Sequence, residues 1–281
     1  MAEIVLTMGV PHTPLLWRAL REPVPSDLAG VAANFSRFRS LLTTARPDVL
    51  VVVASDHLRS IVTSNMPAFL IGKATEIRGA LPSEQRAFGL PASIVPGHPD
   101  LAAHLLGGRQ LPAGFDFSFS DEPWLDHSFM IPLLYLTPGL DIPIVPIHTN
   151  TNAPPIPLAT RFRALGSYLR EAIAALAVPL RVAVIGTGHL SFELGGPRQF
   201  SGTSLDPEFD DLVLDCFRQG DVVRLLEVAT YDRMLAAGNL TFQFLNFITC
   251  LSASGETAAT TVEATPSRFG SEPFLAWSSD R

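Results

Sequence analysis

The chain has 281 residues, 47% of them hydrophobic, enough for one large α/β domain with a well-buried core. A formal net charge of -7, with 20 Lys and Arg against 27 Asp and Glu, offers no electrostatic footprint for nucleic acid or an anionic membrane and points to a small-molecule partner. The two cysteines, Cys216 and Cys250, lie far apart in apolar contexts and suggest neither a disulfide framework nor a thiolate metal site, so a cytoplasmic location is expected.

In chain order, Ile4 to Met8 form an apolar run that leads through Pro11 to His12. A proline-rich loop follows, and then a helix over residues 27–45, with Leu28, Val31, Phe35, Phe38 and Leu42 at helical spacing and Ser26 or Asp27 as its cap. Residues 48–54 show no polar alternation, the pattern of a central strand buried on both faces, and they run toward His57. An extended segment over 61–71 is expected to add a strand before a Gly- and Pro-punctuated stretch to Pro96. A short helix over 101–106, an alternating strand over 115–119 and a helix over 128–135 come next. Residues 142–147 lead to His148, but Pro143 and Pro146 point to an edge or irregular strand. A helix over 161–177 precedes a strand over 181–185 that runs into His189. The last third is helical over 207–218, 221–228 and 241–252, and the polar tail from about Gly255 is expected to be partly mobile.

This alternation predicts a single α/β domain over residues 1–281: a central, mostly parallel mixed sheet flanked by helices, with a cleft at the strand carboxyl ends. Four strands each deliver a histidine to that edge, namely His12, His57, His148 and His189. Imidazoles converging on such a crevice suit a metal or an acid/base site. The bland alternative for each is a histidine hydrogen-bonded at a loop start.

Several signatures then appear in order: Gly9-Val10-Pro11-His12-Thr13-Pro14, Ser55-Asp56-His57, and Asn65-Met66-Pro67-Ala68-Phe69-Leu70-Ile71-Gly72. Gly97-His98-Pro99-Asp100-Leu101 with His104, Leu125-Asp126-His127, and Gly186-Thr187-Gly188 followed by Gly196-Pro197-Arg198 complete the series. With these motifs, over most of its length, the chain resembles the class III extradiol ring-cleavage dioxygenases, the family of the protocatechuate 4,5-dioxygenase catalytic subunit. The resemblance implies a mononuclear non-haem Fe(II) on two histidines and one carboxylate, open to a catecholic substrate and O2. It makes His12 and His57 the imidazole ligands, with Asp56 either orienting one of them or capping a turn. It also makes His127 an acid/base candidate and implies a homo-oligomer or a small companion subunit.

Two positions depart from the family pattern. Where the family's ligand carboxylate falls, this chain has Gln243, whose amide oxygen can coordinate but carries no charge. Where the family has its acid/base histidine, the run Gly188-His189-Leu190-Ser191-Phe192-Glu193 puts Phe192. His189 is therefore either a substitute acid/base or a histidine bonded to the strand-end backbone. Glu193 is a substitute carboxylate or a partner for Arg198, and Glu227 is a further acidic candidate. Phe192, Trp124, Phe129 and Phe242 are candidates for an apolar ring slot, and His148 for a contact to a ring substituent, whereas His98 and His104 read as structural. The expected function is Fe(II)-dependent extradiol cleavage of a catecholic or o-aminophenolic ring. The alternative is a divergent non-catalytic paralogue, a partner subunit of a heteromeric dioxygenase, or an enzyme of the same fold with other chemistry.

Overall fold

The computed structural model describes residues 1–21, 23–107, 114–199 and 204–278. Its first half contains β1 (Glu3–Pro11), α1 (Leu16–Ala19), α2 (Ala29–Ala45), β2 (Val49–Ser55), β3 (Phe69–Gly72), β4 (Glu76–Gly79), α3 (Pro82–Phe88), β5 (Ser93–Pro96) and α4 (Pro99–Gly107). β6 (Ser118–Ser120), β7 (Trp124–Leu125), α5 (His127–Leu136), β8 (Ile144–Thr149), α6 (Ala159–Ala174) and β9 (Arg181–Gly188) follow. The chain closes with α7 (Pro207–Gln219), α8 (Val222–Val228), α9 (Tyr231–Ala237), a 3-10 turn over Thr241–Phe244, α10 (Leu245–Ala253), β10 (Thr261–Ser267) and β11 (Gly270–Ser278).

Eight strands form one mixed sheet in the order β10-β11-β1-β9-β2-β8-β3-β6. The central four, β1, β9, β2 and β8, are mutually parallel, while β11 and β3 flank them antiparallel. In β2, Val49, Val51 and Val53 join the core on one face and Leu50, Val52 and Ala54 the core on the other, which is why the strand shows no polar alternation. Helices α2 and α5 cover one face, and α6 and α10 the other. A second, three-stranded sheet pairs β4 with β5 and, in parallel, with β7. Among the described residues no single helix is long and apolar enough to cross a membrane.

Some expectations change. β8 is a central strand between β2 and β3, not an edge. Asn150 donates its N–H to Ala68 O and Ile144 O accepts from His98 N–H, so backbone alternation turns the missing N–H of Pro146 to that same side. There the β3 ladder has already ended at Ile71↔Ile147, so the proline leaves no ladder position unfilled. The extended segment 61–71 is strand only from Phe69, preceded by a small Val62↔Asn65 bridge. Neither Ser26 nor Asp27 caps α2 through its side chain; they lie in a 3-10 lead-in, and the Asp27 carboxylate pairs with Arg268. The tail pattern hid a hairpin: through residue 278 the chain folds as β10 and β11, with Phe274 and Ala276 packed on one face of the sheet and Leu275 and Trp277 on the other. Residues 279–281 of that tail lie outside the described residues.

The last turn of β9 lies against the 3-10 turn that carries Gln243, and a Cβ on Gly188 would collide with the Gln243 carbonyl oxygen. Gly188→Ala should therefore lower stability by about 1–3 kcal/mol through overpacking, read as a lower denaturant midpoint at unchanged slope.

Candidate metal centre and cavity

The four strand-end histidines belong to four neighbouring parallel strands whose carboxyl ends share one edge of the sheet. His12 follows β1 directly and His189 follows β9 directly, while His57 comes two residues after β2. His127, the first residue of α5, joins them. Ring centroids are 4.5 Å apart for His12 and His189, 4.1 Å for His57 and His127, and 5.7 Å from His12 to each of His57 and His127. One ring nitrogen from each of His12, His57 and His127 lies within 4.8 Å of the other two.

Each of these three imidazoles is held at Nδ1. Asp126 caps α5, accepting from Ser128 N–H, and its other oxygen accepts from both the His57 backbone N–H at 2.9 Å and His57 Nδ1 at 3.1 Å. One carboxylate therefore fixes both the helix start and the ring. The parallel pairing of β4 with β7 brings the start of α3 beside that of α5, where Glu84 Oε1 meets His127 Nδ1 at 2.6 Å and the His127 backbone N–H at 3.0 Å. Thr187 Oγ1 lies 3.0 Å from His12 Nδ1. Imidazoles oriented from behind in this way are how proteins present Nε2 to a metal.

Gln243 sits between two of these rings. Its Oε1 is 2.9 Å from His12 Nε2, and its Nε2 is 3.2 Å from His57 Nε2 and donates to Asn152 Oδ1 at 2.9 Å. Asn152 is itself oriented, because its Nδ2 donates to Asp56 O at 2.8 Å. The amide is thus turned with its oxygen toward His12 and its NH2 toward His57 and Asn152. The donors present, three imidazoles and an amide oxygen, fit a divalent first-row metal.

Burial, then the neighbouring imidazoles, hold His12 well below the usual histidine range. Burial likewise presses His189 down to about 3, helped by His127 and His57. For His57 burial also disfavours the cation, but the adjacent Asp126 carboxylate prevails and raises it. Burial works against the Asp126 charge as well, yet His57 and its other partners keep it below the ordinary carboxylate range. Beside the cluster opens a cavity of about 390 Å³, floored by His57, His127 and His189 and walled mostly by apolar side chains, Phe88 and Phe192 among them. The His189 ring stacks on Phe192 at 4.4 Å, and Phe192, expected from the resemblance to replace a histidine, forms a wall of the cavity.

Other residues named from the sequence fall elsewhere. His148 is buried behind the site, with Nδ1 3.0 Å from Asp56 Oδ2 and its ring 4.6 Å from Phe129, so neither His148 nor Phe129 lines the cavity. Asp56 accepts from the backbone N–H groups of Arg59, Ser60 and Ile61; it builds a turn, and it is Asp126 that orients His57. Trp124 belongs to the small sheet under Arg59 and Arg78, and Phe242 packs on Tyr231. Glu193 pairs with Arg198 at 2.6 Å, and Glu227 is exposed on α8, so neither supplies a carboxylate to the cluster. His98 accepts the Leu101 N–H at the start of α4 and His104 bonds Ala172 O, both structural as read. Glu84 and Asn152 were not foreseen as partners, whereas Asp126 and Thr187 lie in the Leu125-Asp126-His127 and Gly186-Thr187-Gly188 motifs.

Residues 6–278 match the family described as the catalytic LigB subunit of aromatic ring-opening dioxygenase. A 2,3-dihydroxyphenylpropionate/2,3-dihydroxicinnamic acid 1,2-dioxygenase of Xanthobacter autotrophicus is 32% identical over 248 residues, 88% of this chain and 74% of that one. The protein of the same name from Rhodococcus jostii is 30% identical over 183 residues, and the match spans only 54% of its length. Among solved structures, an uncharacterized protein of Escherichia coli K12 superposes with a TM-score of 0.60 at 17% identity, covering 97% of this chain and 99% of the other, and so shares the fold.

Folded His189 resists protonation down to about 3, whereas in the unfolded chain it takes a proton near the ordinary value of about 6.5. Its contribution is therefore complete above that value and is lost as pH falls through the window between the two. In metal-free protein, the stability advantage of wild type over His189→Asn should shrink by on the order of 1 kcal/mol per pH unit across this window, measured by urea unfolding. A difference independent of pH would refute the neutral buried imidazole.

Proposed function

Because the chain belongs to the family of the catalytic LigB subunit of aromatic ring-opening dioxygenase, we propose that it is a non-haem Fe(II) extradiol dioxygenase acting on a catecholic or o-aminophenolic ring. The observation that carries this reading is the cluster of three imidazoles, each anchored at Nδ1, beside an apolar cavity of ring-accommodating size. His12 and His57 would hold the iron, with the Gln243 amide oxygen in the third position. Bound there, Fe(II) supplies Lewis acidity toward the ring oxygens and the redox chemistry of O2.

The remaining chemistry belongs to the protein. A base must accept a phenolic proton and return one later, and an imidazole does this best when a carboxylate behind it stabilises the cation. His127 has such a partner in Glu84, 2.6 Å from its Nδ1. The ring nitrogens of His189 have no comparable carboxylate among the described contacts, and burial keeps this histidine neutral. His127 is therefore the acid/base group, and His189 with Phe192 is a neutral wall that positions the ring. Phe88 on the far side, 5.8 Å from the His127 ring, helps exclude water.

A second reading rests on the same amide. Gln243 already bonds the Nε2 atoms of His12 and His57 and brings no charge to attract a dication, which favours a non-catalytic partner subunit or other chemistry on this fold. Metal content separates the two. After anaerobic reconstitution, the dioxygenase binds about one iron per chain and consumes O2 with a catechol; no iron and no uptake would leave the second reading.

Asp126→Asn should weaken iron binding by about 10- to 100-fold, because it loosens the His57 ring. His127→Ala should keep the iron and lose turnover by about 10²- to 10⁴-fold; loss of the iron would instead make His127 a ligand. Gln243→Glu should raise iron affinity, measured by competition with a chelator.

A further inference from the structure

Above its imidazole floor the cavity has an unusually simple lining for a site expected to hold a small polar ring. Leu15, Phe88, Phe192, Leu194 and Leu240 form its sides, and beyond the histidines the polar side chains are Thr13 and Gln199. No Lys or Arg is among the described lining residues. The cation nearest in sequence, Arg198, makes two bonds to Glu193 Oε2, at 2.6 and 2.9 Å, through different guanidinium nitrogens. Residues 200–203 lie outside the described residues, and their sequence, Phe-Ser-Gly-Thr, contains no cation.

Directly behind the floor stand two carboxylates. Asp126 stands behind His57 and Glu84 behind His127, and each is buried against its imidazole. A carboxylate on a bound ring would face an apolar wall whose rim residue, Leu194, is itself 52% exposed, find no guanidinium or ammonium among the described lining residues, and feel these two acids behind the histidines. Burying a charge without a partner is strongly unfavourable, whereas an alkyl or aryl group in the same place gains from leaving water.

Resting on the ring-cleavage reading above, we infer that the ring substituent this cavity selects is neutral and apolar rather than a carboxylate. The substrate class is alkyl- or aryl-substituted catechols, with the two ring oxygens at the imidazole floor and the substituent among Leu15, Leu194 and Leu240.

The test compares two compounds of nearly equal shape, 3-isopentylcatechol and 3-(2-carboxyethyl)catechol, which differ chiefly in charge. Anaerobic equilibrium binding to the iron-reconstituted protein and O2 uptake are both measured. Wild type should favour the isopentyl compound by at least about tenfold in each. Leu194→Arg, which places a cation at the cavity wall, should shift the ratio toward the carboxylate by about tenfold. A wild-type preference for the carboxylate, with O2 uptake intact, overturns the inference and leaves the ring-cleavage reading standing. Absence of binding and uptake with both compounds overturns the ring-cleavage reading, and the substituent inference with it.

Discussion

One amide ties the sheet edge together. Asn246, in the first turn of α10, donates Nδ2 to Thr187 O at the end of β9 and to Ser55 Oγ at the end of β2, and its Oδ1 accepts from Thr149 Oγ1 at the end of β8. Three parallel strands are thereby held level, and the histidines after β9 and β2 are launched from a common height. Gln243, three residues earlier, emerges on the same side of the chain and reaches the rings. Gly186 and Gly188 let this happen: a Cβ on Gly186 would stand 2.7 Å from Asn246 O and 2.6 Å from Cys250 Sγ. The close approach of β9 to α10 therefore sets the position of His189 and Gln243.

That packing creates an electrostatic problem, which the neighbouring elements solve. Four imidazoles, with His12 4.5 to 5.7 Å from each of the other three and His57 4.1 Å from His127, cannot all carry protons in a buried site, and His12 and His189 are accordingly pressed toward neutrality. His57 is raised instead, because Asp126 faces it. The two carboxylates that balance the cluster both enter at the start of helices, Asp126 as the cap of α5 and Glu84 in the first turn of α3, where the helix dipole favours negative charge. The small sheet exists, in functional terms, to bring those two helix starts together.

The layers were legible from the sequence because hydrophobic period reports burial directly. The continuous apolar run of β2, the helical spacing in α2 and α6 and the strand-end histidines all correspond to features of the sheet and its faces. What stayed hidden depended on partners distant in sequence. Pro146 looked like an edge signal because nothing local shows that the β3 ladder ends beside it. Glu84 is a surface-like residue by type, and only the β4–β7 pairing places it against His127, 43 residues away. The aromatic slot was misjudged for the same reason. Trp124, Phe129 and Phe242 are large and apolar, which specifies burial without specifying which interior receives them.

Gln243 also acquires a different meaning once its neighbour is seen. By the resemblance alone it is expected to stand where the family has a ligand carboxylate, without the charge. In place, its NH2 group is received by Asn152 Oδ1, and Asn152 is prevented from turning over because its own Nδ2 is bound to Asp56 O. A carboxylate at position 243 would set oxygen against oxygen unless Asn152 flipped, and a flipped Asn152 would set its oxygen against the Asp56 carbonyl. Either arrangement leaves an acceptor facing an acceptor in a partly buried place, a cost to the folded chain whether or not metal is bound. The amide is therefore matched to its surroundings by two successive hydrogen bonds, and the neutral donor set is a property of the Gln243–Asn152 pair together with the turn that Asp56 builds.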